Sequence, residues 1–408
     1  MHRSLALRRV FGEPGISRGD LADRLGLSQM AIGRIVRELE AAGLVRESSG
    51  GALPQGRGRP ASSLELRADG AYAAGALLSA YAQEVAIVDL RGALVASRQI
   101  EIDDLADGEH AVDRACDAVR ALIGELGLDA ARVAGVGFSV AVNVDPSRGA
   151  VLGGGYLGWR AFDLRARVAG RLGLPVSLER VADALLRAET FCGCAAQARA
   201  VVLVHAATTL GLSVWFDGTL MRGAGFHAGR IGHFPIRPTR LICSCGQSDC
   251  LNCLASGWSV LARLQTGVGS VYSPARVQEY ARAIHGLIES PAADGTQAAR
   301  RRRLLGEAGV ALARGLTYVD LAFDPDVVIL AGSLARNDSY FRGVLRGLQR
   351  GGGAGADLAL KTNRGAMLAG RSAALIGLLD HVLSPTLALH ALRDEPAVER
   401  RHMVHDDD

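Results

Sequence analysis

Apolar residues recur at helical spacing twice near the start of the chain. Ser17 with Asp20 three residues on reads as a capping-box-like helix start, after which Leu21 and Leu25 mark one buried face. Gly26 stops that helix and Ser28 caps the next, which turns Ile32, Ile35, Val36 and Leu39 inward and ends at Gly43. Two short helices joined by a Gly-containing turn predict a helix-turn-helix. With those positions inward, Gln29, Met30, Gly33, Arg34 and Arg37 face outward. Residues at the start of a recognition helix reach base edges in the major groove, so Ser28, Gln29, Met30, Arg34 and Arg37 are candidate DNA contacts. The alternative is a solvated polar face on a packed helical unit; turn spacing and charge favour DNA. The Gly-rich run from Ser48 to Pro60 then fits a hairpin wing. Its Gly-Arg-Gly-Arg-Pro tip could lay Arg57 and Arg59 in a narrow minor groove, serve as an interdomain linker, or do both.

From Tyr72 the pattern changes to short apolar runs separated by turns and helices. Val85–Leu90 and Ala93–Val95 read as a hairpin, 109–126 as a helix, Val133–Val140 as a buried strand, Leu164–Leu172 as a helix and Val176–Leu178 as a strand. A second set of the same kind begins at Ala200–Val204 and Leu212–Phe216. It resumes with helices around 258–266, 275–288 and 298–322, and the strand Val327–Leu330 leads into Gly332-Ser333. Two α/β lobes with a cleft between them follow, and ligands of such folds bind at the strand ends in the crevice. The expected organisation is a head at 1–67, a first lobe at 68–195, a second lobe at 196–392 carrying the C-terminal helices, and a polar, disordered tail at 393–408.

Composition alters this picture in two places. Residues 1–67 hold 11 Arg against 7 acidic residues, whereas the remaining 35 basic and 35 acidic residues cancel. The formal charge of +4 therefore sits in the head, as suits a module that meets phosphates. No apolar run reaches the roughly 18 residues that span a bilayer, and no signal-peptide core forms, so a cytoplasmic protein without membrane partners is expected.

The second place is the cysteines. Four of the seven, Cys243, Cys245, Cys250 and Cys253, fall close together after Gly232-His233. Outside an export context such clustering suggests metal rather than disulfides. One imidazole and three thiolates, His233 with Cys243, Cys245 and Cys250, satisfy a tetrahedral Zn²⁺ shell, with Cys253 as a spare sulfur. Four protein ligands would make the ion structural; the alternative is a loop of reduced thiols. Cys192 and Cys194 are expected to be buried free thiols.

These residues resemble the ROK family, which joins sugar-responsive repressors to sugar kinases. Ile16–Val45 followed by Gly58-Arg59-Pro60 is similar to the repressor branch's DNA-binding head. His233, Cys243, Cys245 and Cys250 match the family's zinc motif, Gly218, Gly223 and Gly229 fit the glycines before it, and Ala331-Gly332-Ser333 fits a nucleotide-side turn. The resemblance implies an actin-like ATPase fold, an α/β two-lobed body with an N-terminal winged helix-turn-helix.

The departures from the kinase branch bear on activity. Where ROK kinases carry an Asp-x-Gly-x-Thr-type phosphate loop, the chain reads Gly75-Ala76-Leu77-Leu78-Ser79-Ala80. Their catalytic base lies in an Asn-Asp-Ala-Asn stretch that aligns here as Arg180-Val181-Ala182-Asp183, with Glu189 in register at its end. Valine cannot take a proton from a sugar hydroxyl. Arg230 and Asn252 stand where the family holds sugar hydroxyls with Glu, and of that set only His233 remains. The expectation is a catalytically inactive, DNA-binding regulator, a repressor by resemblance, acting on a palindromic operator as a homodimer. Its effector residues would be Arg180, Asp183, Glu189, Arg230, His233 and Asn252. Two readings of that pocket stand side by side: an anionic effector such as a sugar phosphate or sugar acid held by arginines, or a decayed pocket that senses nothing. The rivals to the whole reading are a sugar kinase with a DNA-binding head and a constitutive DNA binder with an inert body.

Overall fold

Local signals at the N-terminus form the elements they predict. Helices α1 (His2–Gly12), α2 (Arg18–Leu25) and α3 (Gln29–Ala41) build the head. The Asp20 N–H donates to Ser17 Oγ at 3.0 Å, and the Ala31 N–H to Ser28 Oγ at 3.2 Å, so each capping side chain satisfies an otherwise orphaned helix donor. Gly26 closes α2 at φ +62°, a left-handed conformation that favours glycine. Strands β1 (Val45–Ser49) and β2 (Ser62–Leu66) pair antiparallel as the arms of a wing. The computed structural model describes residues 1–49, 62–264, 269–289, 295–351, 358, 362–364 and 369–385. Arg57 and Arg59, and the tail at 393–408, lie outside the described residues.

The first lobe comprises β3 (Tyr72–Leu78), β4 (Gln83–Asp89), β5 (Leu94–Gln99), α4 (Gly108–Glu125) and β6 (Val133–Val140). A small three-stranded sheet follows, made of β7 (Val144–Asp145), β8 (Ala150–Val151) and β9 (Phe162–Asp163). Then come α5 (Leu164–Leu172), β10 (Val176–Arg180) and α6 (Val181–Cys192). The main sheet has the order β10-β6-β3-β4-β5, with β3 antiparallel to β4 and parallel to β6.

The second lobe repeats the scheme. Its strands are β11 (Ala200–Ala206), β12 (Leu210–Phe216) and β13 (Thr219–Leu220). Helices α7 (Asn252–Ala255), α8 (Gly257–Leu264), α9 (Val277–Glu289) and α10 (Gly295–Phe323) follow. The chain continues through β14 (Val327–Ala331), α11 (Ser333–Arg336), α12 (Asp338–Gly351), β15 (Thr362–Arg364) and α13 (Ala369–His381). The sheet order is β13-β12-β11-β14-β15, with β11 antiparallel to β12 and parallel to β14. In each lobe an antiparallel hairpin is extended by parallel strands, and helices cover the faces.

One element departs from the expected partition. Helix α13 was expected in the second lobe but packs on β3 and β6 of the first. Gly75 and Gly137 explain how it gets so close. A Cβ on Gly75 would lie 2.1 Å from the Ala374 nitrogen, and one on Gly137 would lie 1.9 Å from the Ala373 carbonyl oxygen. Helix backbone therefore rests directly on sheet backbone, which any side chain at either position would prevent. The other side of α13 meets the head: Leu7 and Val10 of α1 share one buried cluster with Leu375, Leu378 and Leu379. Arg8 Nε donates to the Leu383 carbonyl at 2.6 Å, and the rings of Phe11 in α1 and Phe191 in α6 lie 4.3 Å apart. The head is thus built onto the first lobe through a continuous apolar core.

Candidate functional site

On α3 the inward stripe Ile32, Ile35, Val36 and Leu39 is buried, and the opposite face is open. Ser28, Gln29, Met30, Arg34 and Arg37 are all exposed, Met30 at 83%. An exposed methionine at that position could contact a thymine methyl in the major groove. Most head arginines are occupied: Arg3 with Glu38, Arg18 with Glu47 and Arg46 with Glu65. Among the described residues Arg34 and Arg37 have no ion-pair partner, and Arg37 Nε is held only by the Gly33 carbonyl at 3.1 Å. These two guanidinium groups are therefore available to phosphate or guanine.

The Cys/His motif converges. His233 ends a short 3₁₀ turn (Ile231–His233), and the Cys243–Gln247 turn is closed by the Gly246 N–H to the Cys243 carbonyl at 2.9 Å. Gly246 makes that turn at φ +86°. His233 Nδ1 lies 3.5 Å from Cys243 Sγ and 4.0 Å from Cys250 Sγ, and Cys245 Sγ lies 3.4 Å from Cys250 Sγ. All four ligand atoms fall within 4.8 Å of one another. A Zn–S bond of about 2.3 Å gives tetrahedral edges of about 3.8 Å, so the donor set fits a four-coordinate ion. Cys243 is drawn down to about 3, first by a hydrogen bond from Cys253 and then by His233, against the opposing effect of burial. Cys250 is pushed up by burial and by the neighbouring Cys245. Cys253 stands behind this group, with Leu241 O at 3.5 Å from its thiol. Cys192 is half-buried and Cys194 is exposed, which corrects the expectation that both are buried; Cys192 is the last residue of α6 and Cys194 lies in the turn beyond it.

The six effector candidates differ in their surroundings. Arg180, at the end of β10, forks onto Asp183, with Nε to Oδ2 at 2.7 Å and Nη2 to Oδ1 at 3.1 Å. Its Nη1 reaches across to the second lobe's Ala228 carbonyl at 2.8 Å. Asp183 is 1% exposed and also accepts from Ser213 Oγ at 2.5 Å, so both its oxygens are occupied. Arg230 Nη2 lies 2.7 Å from His227 Nδ1, and burial, with Arg230 and Arg180 nearby, lowers the His227 pKa. His233 belongs to the His/Cys group. Asn252 is buried, accepting the Leu210 N–H at 3.0 Å, with Nδ2 3.8 Å from Cys243 Sγ. Glu189 lies two turns farther along α6 and accepts the Cys194 N–H at 2.9 Å. Thus Glu189 and Asn252 each already accept one backbone N–H.

Sequence reasoning missed several residues here. Glu179, 2% exposed, pairs with Arg187 at 3.0 Å and with Arg222, and Arg187 also binds Asp380 of α13 at 2.5 Å. Tyr156 from the first lobe donates to the second lobe's Leu210 carbonyl at 3.4 Å. An acid at the end of the apolar run Val176-Ser177-Leu178 was the available signal for Glu179; nothing local marked Arg222 or Tyr156.

A winged helix-turn-helix head joined to a two-lobed, actin-like α/β body defines a DNA-binding transcription regulator built on a sugar-kinase fold. Residues 6–46 match the winged helix-turn-helix DNA-binding family, and residues 81–350 match the ROK family. The chain belongs to the ROK family. It is 25% identical over 266 residues to the xylose repressor of Bacillus subtilis, covering 65% of this chain and 68% of that one. It is also 28% identical over 193 residues to the glucokinase of Thermotoga maritima, covering 46% and 60%. Among solved structures, a ROK family transcriptional regulator described as a homolog of the E. coli MLC protein superposes with a TM-score of 0.72 at 22% identity. That match covers 96% of this chain and 99% of the other. A ROK glucokinase from Streptomyces griseus gives 0.60 at 23% identity, covering 75% and 99%. The regulator alone of these two spans the head as well as the body. No described helix is long and apolar enough to cross a membrane.

Proposed function

We propose that this protein is a sugar-responsive repressor that binds a palindromic operator as a homodimer and no longer transfers phosphate. The observation that carries the reading is the pairing of an open, acid-free α3 face with a disarmed α6 start. Val181, the first residue of α6, has no proton-accepting atom. Asp183, the nearest carboxylate on that helix, is buried and held by Arg180 and Ser213, so that both of its oxygens already accept hydrogen bonds. The β3 end offers no phosphate cradle either: Gly75 is spent on the α13 contact, and Ser79 Oγ is taken up in a tight turn with Ala82.

For the effector, Arg180 acts as an interlobe strut, and Arg230 with His227 supplies the exposed donors that face an incoming sugar or anionic sugar derivative. Zn²⁺ held by His233, Cys243, Cys245 and Cys250 would close its shell with protein ligands and serve structure rather than chemistry. Asn252 then ties that centre to the start of β12.

A structural route links effector and DNA. The N-terminus of α6 carries the Arg180–Asp183 strut, and its last turn presents Phe191 to Phe11 of the head. An effector that moves the lobes must break or shift the Arg180–Ala228 and Tyr156–Leu210 bonds and so tilt α6. Only unequal affinity for the two arrangements can drive that change. Footprinting on the protein's own upstream DNA, with and without a panel of sugars and sugar acids, tests the reading. Two protected half-sites released by one compound are expected. Sugar phosphate accumulating with ATP would overturn it.

A further inference from the structure

A cavity of about 850 Å³, lined by neither Arg180 nor Asp183, lies in the second lobe where α10 and α12 run side by side. Helix α10 contributes Arg302, Arg303 and Arg314, and α12 contributes Arg342, Arg346 and Arg350. Arg237 and Arg263 complete the rim, and Glu307 is the one acid among the lining residues. Glu307 is shared between Arg263 at 3.6 Å and Arg303 at 3.8 Å. Arg237, Arg302, Arg314, Arg342, Arg346 and Arg350 have no acidic partner among the described residues.

Such a concentration stands out in a body whose 35 basic and 35 acidic residues sum to zero. Arg342, Arg346 and Arg350 recur every fourth residue, one above the other on one helix face, where like charges repel. The Arg346 guanidinium lies over Gly306 of α10, so close that a methyl there would sit 2.9 Å from Nη2. Burial lowers the pKa of Arg263, and Arg237 adds to the effect. Between the arginines the floor is apolar, made of Ile236, Leu254, Val310 and Leu345.

We propose that this α10–α12 cavity binds a small polyanion carrying several phosphoryl groups, at a site separate from the interlobe cleft. Guanidinium forks match phosphate oxygens bidentately, and clustered guanidinium groups suit adjacent phosphoryl groups better than a single charge. The volume is that of a small-molecule site. A DNA duplex, whose major groove alone is about 12 Å wide, is too bulky to enter it. The apolar floor leaves room for a planar base above the phosphate-binding rim, so free oligophosphates and nucleoside polyphosphates share the recognising chemistry.

Isothermal titration of the full-length protein with inorganic triphosphate, ATP and a hexose monophosphate tests the site. The variant is Arg342→Ala/Arg346→Ala, both exposed positions, with its melting temperature measured to confirm folding. Triphosphate is expected to bind saturably, more tightly than the monophosphate, and to weaken at least about tenfold in the variant, a factor well within the loss of two charge-assisted hydrogen bonds. Tighter binding of ATP than triphosphate assigns the floor to a base; equal binding assigns the site to oligophosphates. Arg34→Ala/Arg37→Ala in the head should leave these affinities unchanged. Absence of saturable triphosphate binding overturns the proposal. So does equal affinity in the α12 variant, which would place the anion in the interlobe cleft, and so does a variant that loses only duplex DNA binding.

Discussion

Single residues decide whether this body is a catalyst. The first residue of α6, Val181, has no proton-accepting atom, and the carboxylate two positions on already accepts from a guanidinium fork and a hydroxyl. The valine was legible in the sequence; the Ser213 partner of Asp183 was not, because it arrives from thirty residues away in the chain. The convergence of His233, Cys243, Cys245 and Cys250 was legible because these residues lie close together in sequence. Elemental analysis of the purified protein is expected to find one zinc per chain, and Cys250→Ser should lose it with a clear fall in melting temperature. Metal-free protein of unchanged melting temperature would contradict that. His205, at the end of β11, gives a pH prediction. Burial holds it down to about 4 in the folded chain, below the usual value of 6.5. The unfolded chain therefore takes up a proton first as pH falls, and stability present above about pH 6.5 is lost progressively toward pH 4, by up to about 3 kcal/mol. Denaturation midpoints across that range should fall less for His205→Gln; identical slopes would remove His205 as the cause.

At the scale of elements, periodicity predicted α2 and α3 with their caps because those signals are local. Helix α13 was assigned to the wrong lobe because its partners, Gly75 and Gly137, lie more than two hundred residues away and show only as glycines in strands. Helix α6 was seen as a damaged catalytic segment, whereas its far end is a contact with the head. The Phe11–Phe191 ring pair, 4.3 Å between centroids, should transmit effector binding. Phe191→Ala is expected to leave effector affinity at the isolated body's level while reducing the effector's influence on operator affinity severalfold. DNA titrations at zero and saturating effector measure this, and an undiminished response would exclude α6 as the route.

The whole molecule is a head fixed to the first of two lobes that repeat one sheet scheme. The two-lobed organisation was legible from the recurrence of apolar runs. The rigid seating of the head was not, because Leu7 and Val10 meet α13 at the opposite end of the chain. If the lobes move on effector binding, that seating would carry the head with the first lobe. The most direct test is a fluorescence anisotropy titration of a duplex from the region upstream of the gene with wild-type protein and Arg34→Ala/Arg37→Ala. Wild-type protein is expected to bind saturably with affinity that falls steeply with salt, and the variant to lose at least about tenfold. Equal binding by both proteins, or no saturable binding by either, would contradict the account.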